Sequence, residues 1–390
     1  MKTVSIPWSA WYNTRKFDLS FPNDWDVTVA EMKGGPDIGD VGIREAMDHP
    51  IGSPTLETLA QGSRSAAILV DDLSRPTPAF RLLPYLIEQL NAGGIPEDRI
   101  RIICALAAHR PLTRDDLIKK LGIDIVDRMY VLNHNAYENL EFLGHSSRGV
   151  PIFVNRDFMA CDLRIALGML TPRGGFFGGG SKLLIPGACG HVTITANHRY
   201  VHEGFREHLD EVARMAGLRF IVNPLLNSEL EITGMVAGDP EAAFWKGVEY
   251  GKDLYKTPIP ENMDVGIFNA FPKDTEFMQA GLAMVPMGSS RKNLLKDNAT
   301  VVICSASPEG LGWHSVLGPG TALAGKPSSA RRKTIVFSPG INKWDVLAKH
   351  GESYLFCKTW KEVLDELGTC YGSGTRAAVF PCGALQYGGE

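Results

Sequence analysis

The sequence predicts an α/β protein: two domains with mainly parallel sheets, Rossmann-like, with the active site in the interdomain cleft. Three observations lead there. At 390 residues the chain is longer than one ordinary core can use. Short apolar runs alternate with helical patterns along most of it, the signature of parallel sheets covered by helices. Polar turns with chemically versatile residues follow several of those runs, and open α/β sheets gather ligands at such strand ends. The proline-bearing stretch KTPIPENM, residues 256–263, reads as a linker. It divides the chain into a first α/β domain over 1–260, which carries the catalytic loops, and a second over 261–390, which closes the cleft. The chain terminus is free to pack back on the first domain.

The elements follow in order. AAILVD at 66–71 is a continuous apolar run, as a strand buried on both faces requires. A polar turn, Asp72 to Pro78, leads into a helix with Leu83, Leu86, Ile87 and Leu90 at three- and four-residue spacing, closed by Gly93-Gly94. Pro84 falls in its first turns, where proline is best tolerated. The run Ile100 to Ala107 completes a β-α-β unit, and Thr113 with Asp116 forms a capping box opening a helix that stops before Gly122. Further strands are expected at 152–154, 163–168, 264–269, 300–305, 334–338, 353–357 and 376–381, with helices at 342–350 and 359–368.

Composition excludes several classes. The formal net charge of −4 provides no basic field for nucleic acid. No apolar run approaches the roughly 18 residues of a membrane span, and the opening MKTVSIPWSAWYNTRKFDLSF lacks the apolar stretch of a secretory signal. The seven cysteines are scattered without a CxxC pair, which suits reduced thiols and a cytoplasmic location.

Three turns hold the chemistry. In VDDLSRPTP (70–78), Asp72 and Arg75 either make a local pair that shapes the turn or hold an arginine fork ready for a carboxylate or phosphate. In ALAAHRPLT (105–113), His109 is either an ordinary helix-entry histidine or a proton carrier near neutral pH. The glycine-rich TPRGGFFGGGSKLLIPG (171–187) places Gly178, Gly179 and Gly180 before Ser181-Lys182, the reverse of the Lys-Ser/Thr order in the common nucleotide loop. Lys182 can contact phosphate, form a covalent bond through an activated amine, or sit solvated. His198, in the Asn-His that follows, can ligate a metal or be structural.

In this order, the segments PIGSPTLETLAQGSRSAAILVDDLSRPTP, GIPEDRIRIICALAAHRPLT, GGGSKLLIPG and the later Asn197-His198 resemble the lactate racemase family that uses a nickel-pincer nucleotide. The resemblance implies a racemase or epimerase of a small anionic 2-hydroxy acid. Its cofactor would be the nickel complex of pyridinium-3,5-bisthiocarboxylic acid mononucleotide, supplied by cofactor-biosynthesis proteins. Lys182 would be its covalent anchor and His198 the nickel ligand, since soft sulfur with imidazole suits nickel. Asp72 falls on the cofactor-contacting turn with Gly178, Gly179 and Gly180, and Arg75 on the substrate-contacting side. His109 matches one of two proton-transfer histidines, and Gln279 and Trp344 match pocket residues. In the family mechanism a base takes the 2-hydroxyl proton while the cofactor accepts hydride from C2. Return of the hydride to the other face inverts the centre.

The sequence departs from that pattern at two places. Family racemases carry a second histidine after the proline that opens the glycine loop, and this chain has Arg173 there, a group too basic to act as a general base. Arg173 can instead pin a second anionic group. Where the family tends to have a lysine near the substrate, the alignment places Leu282. Lactate is therefore not the expected substrate, and His134, His191 or a water are candidates for the missing base. The alternatives are hydride transfer at one face only, with a non-racemase outcome, and a homologue that binds the cofactor or an anion without turnover.

Overall fold

The computed structural model describes residues 1–389 apart from 174–175, 201–202, 322 and 325–331. Two six-stranded sheets organise it. The first runs, in spatial order, Ile232–Gly238, Phe220–Leu226, Leu163–Leu167, Ala66–Asp71, Ile100–Ala105 and Tyr130–Asn133. All its pairings are parallel except that of the first two strands. The second runs Tyr354–Cys357, Thr334–Phe337, Leu295–Cys304, Met263–Asn269, Arg376–Phe380 and Asp26–Val29, parallel throughout.

The α/β class with mainly parallel sheets is thus what the alternation predicts. Every side chain of Ala66–Asp71 is buried, which is why that strand reads as an unbroken apolar run. The helix after it spans Ala79–Ala92 and buries Leu83, Leu86, Ile87 and Leu90 on one stripe. Thr113 and Asp116 form a reciprocal capping box on Arg114–Leu121, and Gly122, at φ +87°, ends that helix where a side chain would be strained.

The strand Asp26–Val29, which lies before the boundary at 260, pairs within the second sheet. Asp26 pairs with Arg376 and Val29 with Val379. The antiparallel hairpin of Lys2–Trp8 and Arg15–Phe21 sends Ile6, Trp8, Leu19 and Phe21 into the same apolar cluster as Ile267, Phe337 and Val379. Trp8 stacks between Phe17 and Phe337 at centroid distances of 4.9 and 5.6 Å. Alternation of apolar and polar residues is the physical reason, since a strand with one greasy face must cover a core. Near the other end, Tyr387 rests on Phe177 with ring centroids 5.5 Å apart. All seven cysteines are free thiols. Among the described residues no helix is long and apolar enough to cross a membrane.

Candidate active site

The strands Ala66–Asp71, Ile100–Ala105 and Leu163–Leu167 run parallel, so the turns that follow them share one edge of the first sheet. Turns following Met263–Asn269 and Leu295–Cys304 of the second sheet touch them. Lys273 Nζ donates to Thr171 Oγ1 at 3.0 Å, and Arg110 Nε to Glu309 Oε2 at 2.8 Å. The Ser315 N–H donates to the Ala108 carbonyl at 2.8 Å.

The first turn is held from beneath. Lys120 is fully buried, and its ammonium lies 2.5 Å from Asp71 Oδ1. It also donates to the carbonyls of Asp72 at 3.1 Å and Arg75 at 2.9 Å. One side chain thereby directs its donors to the turn that carries Asp72 and Arg75. Asp72 Oδ1 accepts from Ser74 Oγ at 2.6 Å and Arg75 Nη1 at 3.0 Å. Burial alone would raise its pKa, but His109 and Arg75 outweigh burial and hold the carboxyl below the usual range.

His109 is oriented by two carboxylates. Its Nδ1 lies 3.3 Å from Asp72 Oδ2 and 3.4 Å from Glu276 Oε1. Ionised carboxylates only accept, so Nδ1 is the ring nitrogen that carries a proton toward them. Glu276 has room because Gly312 lacks a side chain: a Cβ there would come within 2.6 Å of the Glu276 Cβ.

The glycine loop is shaped by the protein itself. Gly179 has φ +113°, and a Cβ on it would stand 3.2 Å from the Met169 carbonyl oxygen. The Gly180 N–H donates to Asn223 Oδ1 at 3.0 Å, and Arg206 Nη1 donates to the Gly179 carbonyl at 3.1 Å. Gly178 lies beside the polar groups of the pocket: a Cβ there would be in ordinary contact with Thr171 Oγ1 at 3.5 Å, Arg173 Nε at 3.7 Å and Lys182 Cδ at 3.8 Å.

Lys182, Arg173 and Arg75 line one pocket together with Asp71, Thr171 and Gly179. No ion pair engages Lys182 or Arg173 among the described residues. The Lys182 ammonium sits 5.0 Å from the Phe176 ring centre and 5.8 Å from that of Phe205. Burial first, then the charges of Arg173, Arg75 and Arg206, pull its pKa well below that of ordinary lysine. A half-buried amine held toward its neutral form is a nucleophile.

His198 shows one usable nitrogen. Its Nδ1 faces the Ile194 carbonyl at 2.7 Å and must donate to it, which leaves Nε2 with a lone pair. Burial lowers its pKa and favours the neutral ring, the form that binds a metal. Among the described residues no group of three or more His, Cys, Asp or Glu could hold a metal ion. A metal at His198 would need donors from a bound molecule, and that fits a cofactor bringing its own sulfurs.

The remaining candidates are scattered. His134 is spent, with Nε2 on the Cys189 carbonyl at 2.8 Å and Nδ1 on Asn155 at 3.2 Å. His191 is engaged with the Ser315 carbonyl at 3.3 Å and stacks on Tyr137. Gln279 is half-buried in the 3₁₀ segment Phe277–Met284, just after Glu276. Trp344 is 74% exposed at the start of the helix Lys343–His350, outside the pocket lining.

Beyond Glu276, Lys120 and Thr171, already described, Lys273 and His314 at the site also escaped the sequence reading. Lys273 follows the strand Met263–Asn269, is 1% exposed, and is pulled below ordinary lysine by burial and then by Arg173 and Arg75. His314 stands between the histidines, its ring centre 5.2 Å from that of His109 and 6.5 Å from that of His198. Its Nδ1 accepts the Leu317 N–H at 2.9 Å, so its Nε2 bears the proton and acts as a donor. Both lie on turns after strands of the second sheet, the position that could have flagged them.

The lysines make stability depend on pH. A lysine whose folded pKa is lowered destabilises the protein below that pKa, and the penalty vanishes as pH rises through the unfolded value of about 10.4. The cofactor-free Lys182→Met variant should therefore be more stable than wild type at pH 7, with the gap closing toward pH 10. Urea midpoints at both pH values test this, and a gap that widens with pH would contradict the half-buried, unpaired amine.

The profile of the lactate racemase N-terminal domain matches residues 12–209. Lactate racemase from Lactiplantibacillus plantarum is 29% identical over 287 residues, spanning 69% of this chain and 66% of that protein. The lactate racemase of Thermoanaerobacterium thermosaccharolyticum is 27% identical over 337 residues, 80% of this chain and 76% of its own length. The apoprotein structure of lactate racemase from the latter organism superposes with a TM-score of 0.78 at 21% identity, covering all of both chains. A Thermotoga maritima protein gives 0.66 at 16% identity over 88% of this chain and all of its own. With a match that spans half of its length and a shared fold throughout, the chain belongs to the lactate racemase family.

Proposed function

We propose that the protein is a racemase or epimerase of a 2-hydroxy acid other than lactate, working with a nickel-pincer nucleotide bound covalently at Lys182. The observation that carries this is an amine at Lys182 that has no ion-pair partner among the described residues and shares a pocket with Arg75, with His198 near enough to feel its charge and joined to His109 through the His314 ring between them. When bound, the cofactor supplies a hydride acceptor. The chain's own residues do the rest. Arg75, braced by Asp72 and Ser74, offers a guanidinium to the substrate carboxylate. His109 Nε2 takes the 2-hydroxyl proton, with Asp72 and Glu276 stabilising the charge the ring acquires.

On the resemblance, Arg173 stands where family racemases carry their second histidine, and this supports a substrate unlike lactate. With His134 and His191 both engaged, the observed geometry also favours hydride transfer at one face as the second reading. A cytoplasmic location and dependence on cofactor-biosynthesis proteins accompany either one.

Intact mass and nickel content test the proposal, on protein made in cells that supply a working cofactor pathway. A cofactor-sized increment that maps to Lys182, is absent in Lys182→Met and comes with bound nickel is the expected result. Unmodified, nickel-free protein from cells that load a known racemase would overturn it.

A further inference from the structure

Even with Lys182 held toward its neutral form, the pocket around it presents two guanidinium groups, Arg75 and Arg173, where a single carboxylate needs one. Arg75 already has Asp72 beside it, and Asp71 already has Lys120. Arg173 and Lys273 have no acidic partner within ion-pair distance among the described residues. The Arg173 Nε is shut off from solvent and has no hydrogen-bond acceptor. A buried charged donor without an acceptor is costly, so a bound acceptor is the natural resolution.

Three groups converge there. Arg173 Nε and Thr171 Oγ1 both face Gly178, at 3.7 and 3.5 Å from the position a Cβ would occupy. Thr171 lines the pocket, and Lys273 Nζ reaches it from behind at 3.0 Å. Lys273 Nζ donates and the threonine oxygen accepts, which leaves the hydroxyl proton of Thr171 for another acceptor. Lys273 is thus a positioning residue that acts through Thr171, while Arg173 and Thr171 are the groups that touch.

We propose that Arg173 and Thr171, backed by Lys273, seat a second anionic group of the substrate, so that the protein acts on 2-hydroxy acids bearing an additional carboxylate, sulfonate or phosphate. The inference rests on the proposed function and names its substrate class. Arg75 holds the carboxylate next to the reacting carbon, and the Arg173 seat holds the other anion. The Arg173 guanidinium then selects substrates instead of moving protons. No bond is made or broken at this seat.

The test has two arms. With cofactor-loaded protein, malate, 3-sulfolactate and 3-phosphoglycerate are compared with lactate by chiral chromatography. With cofactor-free protein, calorimetric titration compares the same compounds and inorganic phosphate. At least one dianionic acid should exceed lactate by ~30-fold or more in kcat/KM, as expected of hydrogen bonds to charged groups. Arg173→Ala should lower that preference at least tenfold, mainly through KM. Lys273→Met should lower it less, and Lys273→Arg should restore part of the loss. In the cofactor-free arm the preferred dianion should bind more tightly than lactate.

Equal turnover of lactate and all three dianions would overturn the proposal, as would an Arg173→Ala variant that weakens every substrate alike. If Arg173→Ala abolishes cofactor loading, the seat belongs to the cofactor's phosphate and the proposal also fails. Should wild type take up no cofactor, the proposed function fails separately. The cofactor-free arm then decides the seat alone, with tighter binding of a dianion supporting it and none opposing it.

Discussion

Replacing His109 with asparagine should reduce kcat by roughly 10²–10⁴-fold, the usual worth of a positioned general base, while nickel content and the Lys182 adduct persist. His109 contacts Asp72 and Glu276 through Nδ1 only, so the amide of asparagine can keep one of these contacts but offers no basic nitrogen in place of Nε2. The adduct should persist because the groups around Lys182 that set its state are Arg173, Arg75 and Arg206, not His109. Turnover with saturating substrate, read beside intact mass, separates the outcomes. A variant that loads fully and turns over within a few-fold of wild type would remove His109 from proton transfer. Loss of the adduct would assign it to cofactor binding.

Lys120→Met should cost about 3–5 kcal/mol of stability, the penalty for leaving a buried charge without its partner. The lysine is completely enclosed, 2.5 Å from Asp71 Oδ1, and no solvent can replace it. Burial already raises the Asp71 pKa against the pull of Lys120, so the carboxylate without the ammonium is strongly disfavoured. The double variant Lys120→Met/Asp71→Asn should recover part of the loss, because it removes the stranded charge as well. Urea unfolding of the three proteins measures it. A single-variant loss under about 1 kcal/mol, with no recovery in the double, would show that Asp71 is neutral in the folded protein. Activity should fall too, since the same ammonium donates to the carbonyls of Asp72 and Arg75.

What the sequence disclosed and what it withheld follow one physical division. Ala66–Asp71, Ile100–Ala105 and the capped helix Arg114–Leu121 were legible because their signals are local: continuous apolar side chains and a cap three residues wide. Arg75, His109 and Lys182 stood out as polar residues after such strands. Lys273 and His314 did not, because their meaning depends on partners far along the chain. Nothing near Lys273 announces that it will lie 3.0 Å from Thr171. The same holds for His134: a histidine with two buried partners and one with a free nitrogen are identical in sequence. Trp344 was chosen on local similarity alone, and its exposure on the helix Lys343–His350 reflects the second sheet's packing. The opening hairpin was missed because its pattern says only that one face is covered, not by which sheet.

The pairing of Asp26 with Arg376 has a consequence for synthesis on the ribosome. Every strand of the first sheet lies between Ala66 and Gly238, whereas the second sheet needs Asp26–Val29 from near the start and Arg376–Phe380 from near the finish. As the chain emerges, the first sheet can be completed while the early strand still waits as an unpaired edge. Domains fold as units in order of emergence, and waiting edges invite wrong partners. A nascent chain stalled before Arg376 would carry a finished first sheet beside an unfinished second one, and chaperone capture should fall at that stage of elongation.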